Sequence, residues 1–388
     1  MITVNALNRP VYTLRQKLWQ IHWLFVLLLV AVAGIGFAML YSAAGRSAGT
    51  GSFDPWASRQ MVRFGVAMVI MVAVALTNIR LWLRYAYVIY LVTLVLLAAV
   101  EFGGTAGMGA QRWINLGFAN LQPSELMKIA LVLALARYFH GGSADDVRRP
   151  LFVVPPLLMV AAPSALVLRQ PDLGTALMLI IAGGAIFFAA GVRMWKFAVV
   201  GAAAIGSVPV AWQFLREYQR TRVLSFLDPE SDPLGAGYHI IQSKIALGSG
   251  GMFGRGFLQG SQRHLHFLPE KQTDFIFTLL AEEWGLAGGL TLLGLYVLLL
   301  AYGFAISLRS RNHFGRLVGM GVTTTFFLYV FINIAMVMGL IPVVGVPLPL
   351  ISYGGTAMLT LLFGFGLLLG VYVHRDMVIG RRGAEEEI

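Results

Sequence analysis

An all-α, polytopic membrane protein of about ten transmembrane helices, with one long extracytoplasmic connection between spans seven and eight, is the fold this sequence predicts. Three observations carry the prediction. Of 388 residues, 58% are hydrophobic and only 12% charged, with a mean hydropathy of +0.75, far from the composition of a soluble domain. The apolar residues fall into runs near the ~20 residues that a hydrocarbon core of about 30 Å demands. The basic residues gather in the short segments between those runs, mostly on one side.

Taken in order, the runs place spans at roughly 20–42, 60–78, 84–101, 123–140, 151–168, 174–191, 194–213, 275–306, 315–339 and 353–373. The eighth is longer than the bilayer needs, so it must tilt, protrude or kink near Gly285. An even span count puts Arg9, Arg15, Lys17, Arg80, Arg84, Arg137, Arg148, Arg149, Arg193, Lys196, Arg309, Arg311, Arg316, Arg375, Arg381 and Arg382 on the side of the first residue. The opposite short connections and adjoining span ends hold only Arg46, Arg59, Arg63, Arg112, Lys128 and Arg169, so both termini are expected to be cytoplasmic. The connection at about 214–273 then lies outside, its length exempting it from the charge rule. The whole of 1–388 reads as a single integral membrane domain containing that loop. The first run is too long for the core of a cleavable signal and is expected to stay as an anchor.

The net charge of +11 does not point to nucleic acid, because no basic block carries interleaved aromatics. The chain has no cysteine, which excludes disulfides, thiolate metal sites and a cysteine nucleophile. His239, His264 and His266 are not at metalloprotease or zinc-finger spacing. Gly248 to Gly256 is glycine-rich but lacks the Lys-Ser/Thr ending and preceding strand of a phosphate loop. It reads as a turn, with amides that could still meet a phosphate. Tyr238 to Leu247 has helical periodicity and suits an amphipathic helix on or in the interface.

Polar residues concentrate at the predicted outer face. Asp274 closes a polar run and opens an apolar span, a costly place for a carboxylate. Either Thr273 or Asp274 caps the helix, or Asp274 is a functional acid. Arg112-Trp113 precedes Gln122-Pro-Ser-Glu125-Leu-Met-Lys128, where Glu125 and Lys128 are three apart on one helical face. They read as an internal ion pair or as part of a site in which Arg112 holds a phosphate or stacks on a ring. Asp172 in Gln170-Pro-Asp172 reads as the cap of a tight turn. Asn333 lies within an apolar span. The Pro- and Gly-rich stretch from Gly339 to Thr356 has almost no charge. Irregular backbone of that kind is tolerated at membrane depth only against protein or a water-filled cavity, so it is expected to line the same cavity as Asp274. Gly366 and Gly370 form a small-xxx-small pair suited to internal helix packing.

These motifs together resemble the SEDS family (shape, elongation, division and sporulation) over nearly the whole chain. The resemblance rests on Arg112-Trp113-Ile through Lys128, Gln170-Pro-Asp172-Leu-Gly-Thr175, Phe267-Leu-Pro-Glu270 through Asp274-Phe-Ile-Phe277 with Glu282-Glu283, and Pro349-Leu-Ile-Ser352-Tyr353-Gly-Gly-Thr356. Phe226 to Tyr238 and the Phe-Leu-Pro-Glu form are closer to the cell-elongation branch, RodA, than to the division branch, FtsW. The resemblance implies ten membrane helices in the inner membrane, polymerisation of lipid II into peptidoglycan glycan, an essential acid at Asp274, and a class B penicillin-binding protein transpeptidase as partner.

The implied chemistry is an inverting glycosyl transfer from an undecaprenyl pyrophosphate to a sugar hydroxyl. It requires one general base and positive charge for the leaving group. Asp274 suits the base. Arg112, Lys128, Arg222 and Lys244 are the candidate cations, with Glu125 orienting Lys128, and Trp113 and Gln122 beside the substrate. No protein metal site stands out, although a divalent cation, Mg or Mn, could share the pyrophosphate charge. The rival reading is a flippase or transporter of lipid-linked precursors; a non-catalytic scaffold would leave Asp274 without a task.

Overall fold

The computed structural model describes residues 13–44, 56–107, 110–115, 117, 120–214, 217–228, 236–260 and 272–380. The motif at 267–270, His264 and His266, and the side chains of Arg222 and His239 lie outside the described residues. Helices occupy all ten predicted positions: α2 (Trp23–Ala44), α3 (Ala57–Leu76), α4 (Ile79–Gly103), α5 (Pro123–Gly141), α7 (Pro150–Arg169), α8 (Leu173–Ala189), α9 (Met194–Phe214), α12 (Ile276–Arg309), α13 (His313–Val337) and α14 (Gly355–Val373). Shorter helices intervene: α1 (Leu14–Gln20), α6 (Ala144–Arg148), α10 (Glu217–Leu227) and α11 (Ala236–Ser249). Seven of the ten are long and apolar enough to cross a membrane by themselves. Of the other three, α8 has 17 residues, the apolar part of α9 spans Met194–Pro209, and α5 carries Glu125, Lys128 and Arg137.

That charge on α5 is tolerated because α5 is the centre of the bundle. Glu125, Met127 and Lys128 through Ala136 are all buried, against α4, α7, α8, α13 and α14. Successive long helices reverse direction, so the starts of α3, α5, α8, α12 and α14 and the ends of α2, α7 and α13 meet at one end. On one side of the bundle α14 packs on α3. A Cβ on Gly366 would stand 2.7 Å from the Met71 carbonyl oxygen and one on Gly370 3.5 Å from that of Ala75; the small-xxx-small pair serves internal packing, as predicted.

Three features depart from the sequence reading. The connection carrying Arg112 and Trp113 is an antiparallel sheet, β1 (Thr105–Gly107), β2 (Ala110–Asn115) and β3 (Asn120–Leu121), in that order. Strands of six residues and fewer leave little alternation to read, and this sheet is held against the ends of α4 and α5. The second departure is α11, which packs on α12 and α13 through Ile240, Ser243 and Ala246. The Ser243 hydroxyl donates to the Val337 carbonyl at 2.8 Å and accepts from the Thr278 hydroxyl at 3.0 Å, while Ile245 stays exposed. The face turned to the protein mixes Ile240 with the small residues Ser243 and Ala246.

The third concerns the glycine-rich loop. Helix α12 is interrupted at Gly285, where φ is 68° and ψ −163°. An unbroken helix would pair the Leu286 and Ala287 amides with the carbonyls of Glu282 and Glu283, four residues back. Instead those amides donate to Gly251 O (2.9 Å) and Met252 O (3.0 Å), while Arg255 N and Gly256 N donate to Glu282 O and Glu283 O, both at 3.0 Å. Residues 251–256 thus replace both lost helix bonds. The loop amides expected to be open to a phosphate are, for Arg255 and Gly256, spent here. A Cβ on Gly254 would lie 2.1 Å from Glu283 O, so only glycine permits the approach.

Candidate active site

The backbone around Asp274 is fixed from three directions. Fully buried Asn333 of α13 donates through Nδ2 to the carbonyls of Asp274 (2.9 Å) and Val346 (2.7 Å). The Ser352 hydroxyl donates to Thr273 O and accepts the Leu348 amide, and the Tyr353 amide donates to Gln272 O at 2.9 Å. The segment 339–354 that supplies these groups is irregular yet buried, with Val346, Leu348, Leu350 and Ile351 all inside. The Tyr296 hydroxyl donates to Pro349 O at 2.7 Å. Protein contact therefore supplies what lipid could not, and the stretch lies against Asp274.

The carboxylate itself is half-buried. The residue at the N-cap of α12 is Phe275, which makes no side-chain capping bond, so Asp274 stands one position ahead of the capping site. Gly345, at φ 68°, faces it so closely that a Cβ there would be 3.4 Å from Oδ2. A larger residue at 345 would be both strained and crowded against the acid.

One helical turn before Asn333, about 6 Å along α13, Tyr329 closes a buried polar cluster. Lys128 Nζ donates to Glu125 Oε1 at 2.7 Å and to the Tyr329 hydroxyl, which donates in turn to Glu125 Oε2. The ammonium also lies 4.2 Å from the Tyr329 ring centroid. Glu125, Lys128 and Tyr329 are each at most 4% exposed. The internal ion pair is thus real, and a tyrosine ties it to the helix that holds Asp274. Nothing local marks Tyr329 in the sequence; an aromatic residue in an apolar span reads as packing.

The remaining candidates separate. Arg112 on β2 donates to the carbonyls of Gln170 (Nε, 3.2 Å) and Pro171 and lies 3.7 Å from Asp172 Oδ2. Asp172 caps α8 by accepting the Thr175 amide. Arg112 therefore fastens the sheet to the α7–α8 turn, and Trp113, paired with Thr105 across the sheet, is partly buried. Gln122 is the N-cap of α5 without a side-chain capping bond. Lys244 is exposed on α11, its stem against Gly339. Arg222 lies on α10, its side chain outside the described residues.

The family described as "Cell cycle protein", the FtsW, RodA and SpoVE group, matches residues 22–377. The chain belongs to the SEDS family. Among SEDS proteins, it is 44% identical over 356 residues to the peptidoglycan glycosyltransferase MrdB of Escherichia coli (strain K12), covering 91% of this chain and 94% of that one. It is 31% identical to the peptidoglycan glycosyltransferase RodA of Treponema pallidum, covering 90% and 96%. Two solved structures share this SEDS fold. One, described as the structural coordination of polymerization and crosslinking by a peptidoglycan synthase complex, gives a TM-score of 0.78 at 35% identity, covering 92% of this chain and 98% of the other. The crystal structure of Thermus thermophilus RodA gives 0.69 at 31% identity, with the same coverage.

Proposed function

We infer that this SEDS protein is a peptidoglycan glycosyltransferase of the elongation type, polymerising lipid II into β-1,4-linked glycan. Its relatives' names support the reaction class. The observation that carries the reading in this chain is a half-buried Asp274 whose backbone is held by Asn333, itself one turn of α13 from Tyr329 of the buried Glu125, Lys128 and Tyr329 cluster. As general base, Asp274 takes the proton of the acceptor sugar's hydroxyl. That oxygen then bonds to the donor's anomeric carbon from the face opposite the pyrophosphate. The carbon–oxygen bond to the pyrophosphate breaks, the lipid pyrophosphate leaves, and the α linkage becomes β. Asp274 needs only reach and basicity; the leaving group needs cations. Mg or Mn would be held chiefly by the pyrophosphate, since no three His, Asp or Glu side chains cluster among the described residues.

The polar groups at one end of the bundle favour chemistry at one membrane face over a transport path. We place that end outside and both termini in the cytoplasm, on the distribution of basic residues. Single cysteines at Asp145 and Ser249 test this: an impermeant thiol reagent on spheroplasts is expected to label position 249 alone, and the reverse pattern would invert the topology. A crosslinking transpeptidase, of the class B penicillin-binding protein type, is the partner this reading implies. The reaction is tested by supplying lipid II to the purified protein with that partner. Glycan strands are expected, and transfer of intact lipid II between leaflets without polymer would favour the flippase.

A further inference from the structure

The inner face of α3 buries Gln60, Ala67, Met71 and Val74 against α14. Arg63 belongs to the same stripe by spacing yet stays partly open. Its neighbours are those of the site: Gln60 Nε2 donates at 3.0 Å to the carbonyl of Ser352, the residue whose hydroxyl holds Thr273. The Arg63 guanidinium carbon lies 4.8 Å from the Tyr353 ring centroid. It rests on the start of α14 because Gly355 has no side chain; a Cβ there would be 3.3 Å from Nε.

Arg112 spends its donors on the α7–α8 turn. Arg63, among the described residues, makes no ion pair and no hydrogen bond, and its head touches a ring face and a glycine. Arg59, one turn away and exposed, adds like charge, and it sits in the first turn of α3, at the positive end of the helix. Each circumstance is mildly unfavourable without an anion. A guanidinium held over a ring keeps N–H donors for a fork matched to two phosphoryl oxygens.

We propose that Arg63, with Arg59 beside it, binds the pyrophosphate of the lipid-linked substrate at the mouth that holds Asp274. The assignment rests on the glycosyltransferase reading of that mouth. The test uses the full chain in lipid nanodiscs and measures binding of undecaprenyl pyrophosphate, with undecaprenol and inorganic pyrophosphate as comparators. Arg63→Gln is expected to weaken undecaprenyl pyrophosphate binding about tenfold or more, the loss of one charge-assisted contact, while undecaprenol binding and thermal midpoint stay unchanged. Arg63→Lys should recover part of the loss, and KM for lipid II should rise in both variants more than kcat falls. Unaltered pyrophosphate binding in Arg63→Gln would reduce Arg63 to a packing residue on Tyr353. Inorganic pyrophosphate competing as well as the lipid would overturn the lipid assignment. If Arg63→Gln does not fold, Arg63→Lys decides alone, because equal affinity with wild type would refute a fork-shaped contact. A wild-type protein that binds the pyrophosphate lipid but forms no glycan would sink the reaction and leave this site standing.

Discussion

Replacing Asp274 with asparagine is expected to abolish nearly all glycan polymerisation while leaving the fold intact. The amide preserves the shape of the side chain, and the backbone bonds from Asn333 and Tyr353 go to carbonyls on either side of it, untouched by the change. What asparagine lacks is the ability to accept a proton. General base catalysis contributes roughly 10²–10⁴ in rate, so turnover should fall by about that factor with near-normal expression, thermal midpoint and lipid II binding. Asp274→Glu should be intermediate at best, since displacing a catalytic group by about 1 Å can itself cost ~10²-fold. Polymerisation by the asparagine variant at close to the wild-type rate would make the carboxylate structural.

Lys128→Met should act through stability as well as chemistry. It strands the Glu125 carboxylate in the bundle centre with only Tyr329 as a described partner, and breaking a buried pair in this way costs about 3–5 kcal/mol. A lower thermal midpoint and a large loss of activity are expected together. The double variant Lys128→Met with Glu125→Gln separates the two effects, because it removes the stranded charge. Recovery of the thermal midpoint without recovery of polymerisation is expected if the ammonium serves the reaction. Recovery of both would confine the pair to holding α5 against α13.

The spans were legible because an apolar run of bilayer length is a property of neighbouring residues, and Gly285 could be marked because one run exceeded that length. Asp274 stood out for the same local reason, a charge at the start of such a run. Which partner a side chain takes is decided by segments far away in the chain. Arg112 looked suited to a phosphate beside Trp113, but its donors meet carbonyls near residue 170, delivered by a turn between two other helices. The Glu125 and Lys128 pair could be read from their spacing, whereas the hydroxyl that joins them is some two hundred positions later. Arg63 was read only as a topology signal, since its proximity to Tyr353 exists only once α3 and α14 pack. The short strands around Arg112 lacked the length that would have separated them from a loop.

The exchange of hydrogen bonds at Gly285 carries a consequence for how the chain enters the membrane. A segment normally partitions into lipid as a finished helix, with every amide and carbonyl paired within itself. The part of α12 beyond the break, 288–309, can do this. The four backbone groups flanking Gly285 cannot, and leaving such groups unpaired in hydrocarbon costs several kcal/mol each. Their partners at 251–256 precede them in the chain, so the ribosome delivers the splint before the helix that needs it. Insertion of α12 is complete only when that preceding segment has already reached the same side of the bilayer, which, on the topology proposed above, makes translocation of the long connection a step in building the helix that begins beside Asp274.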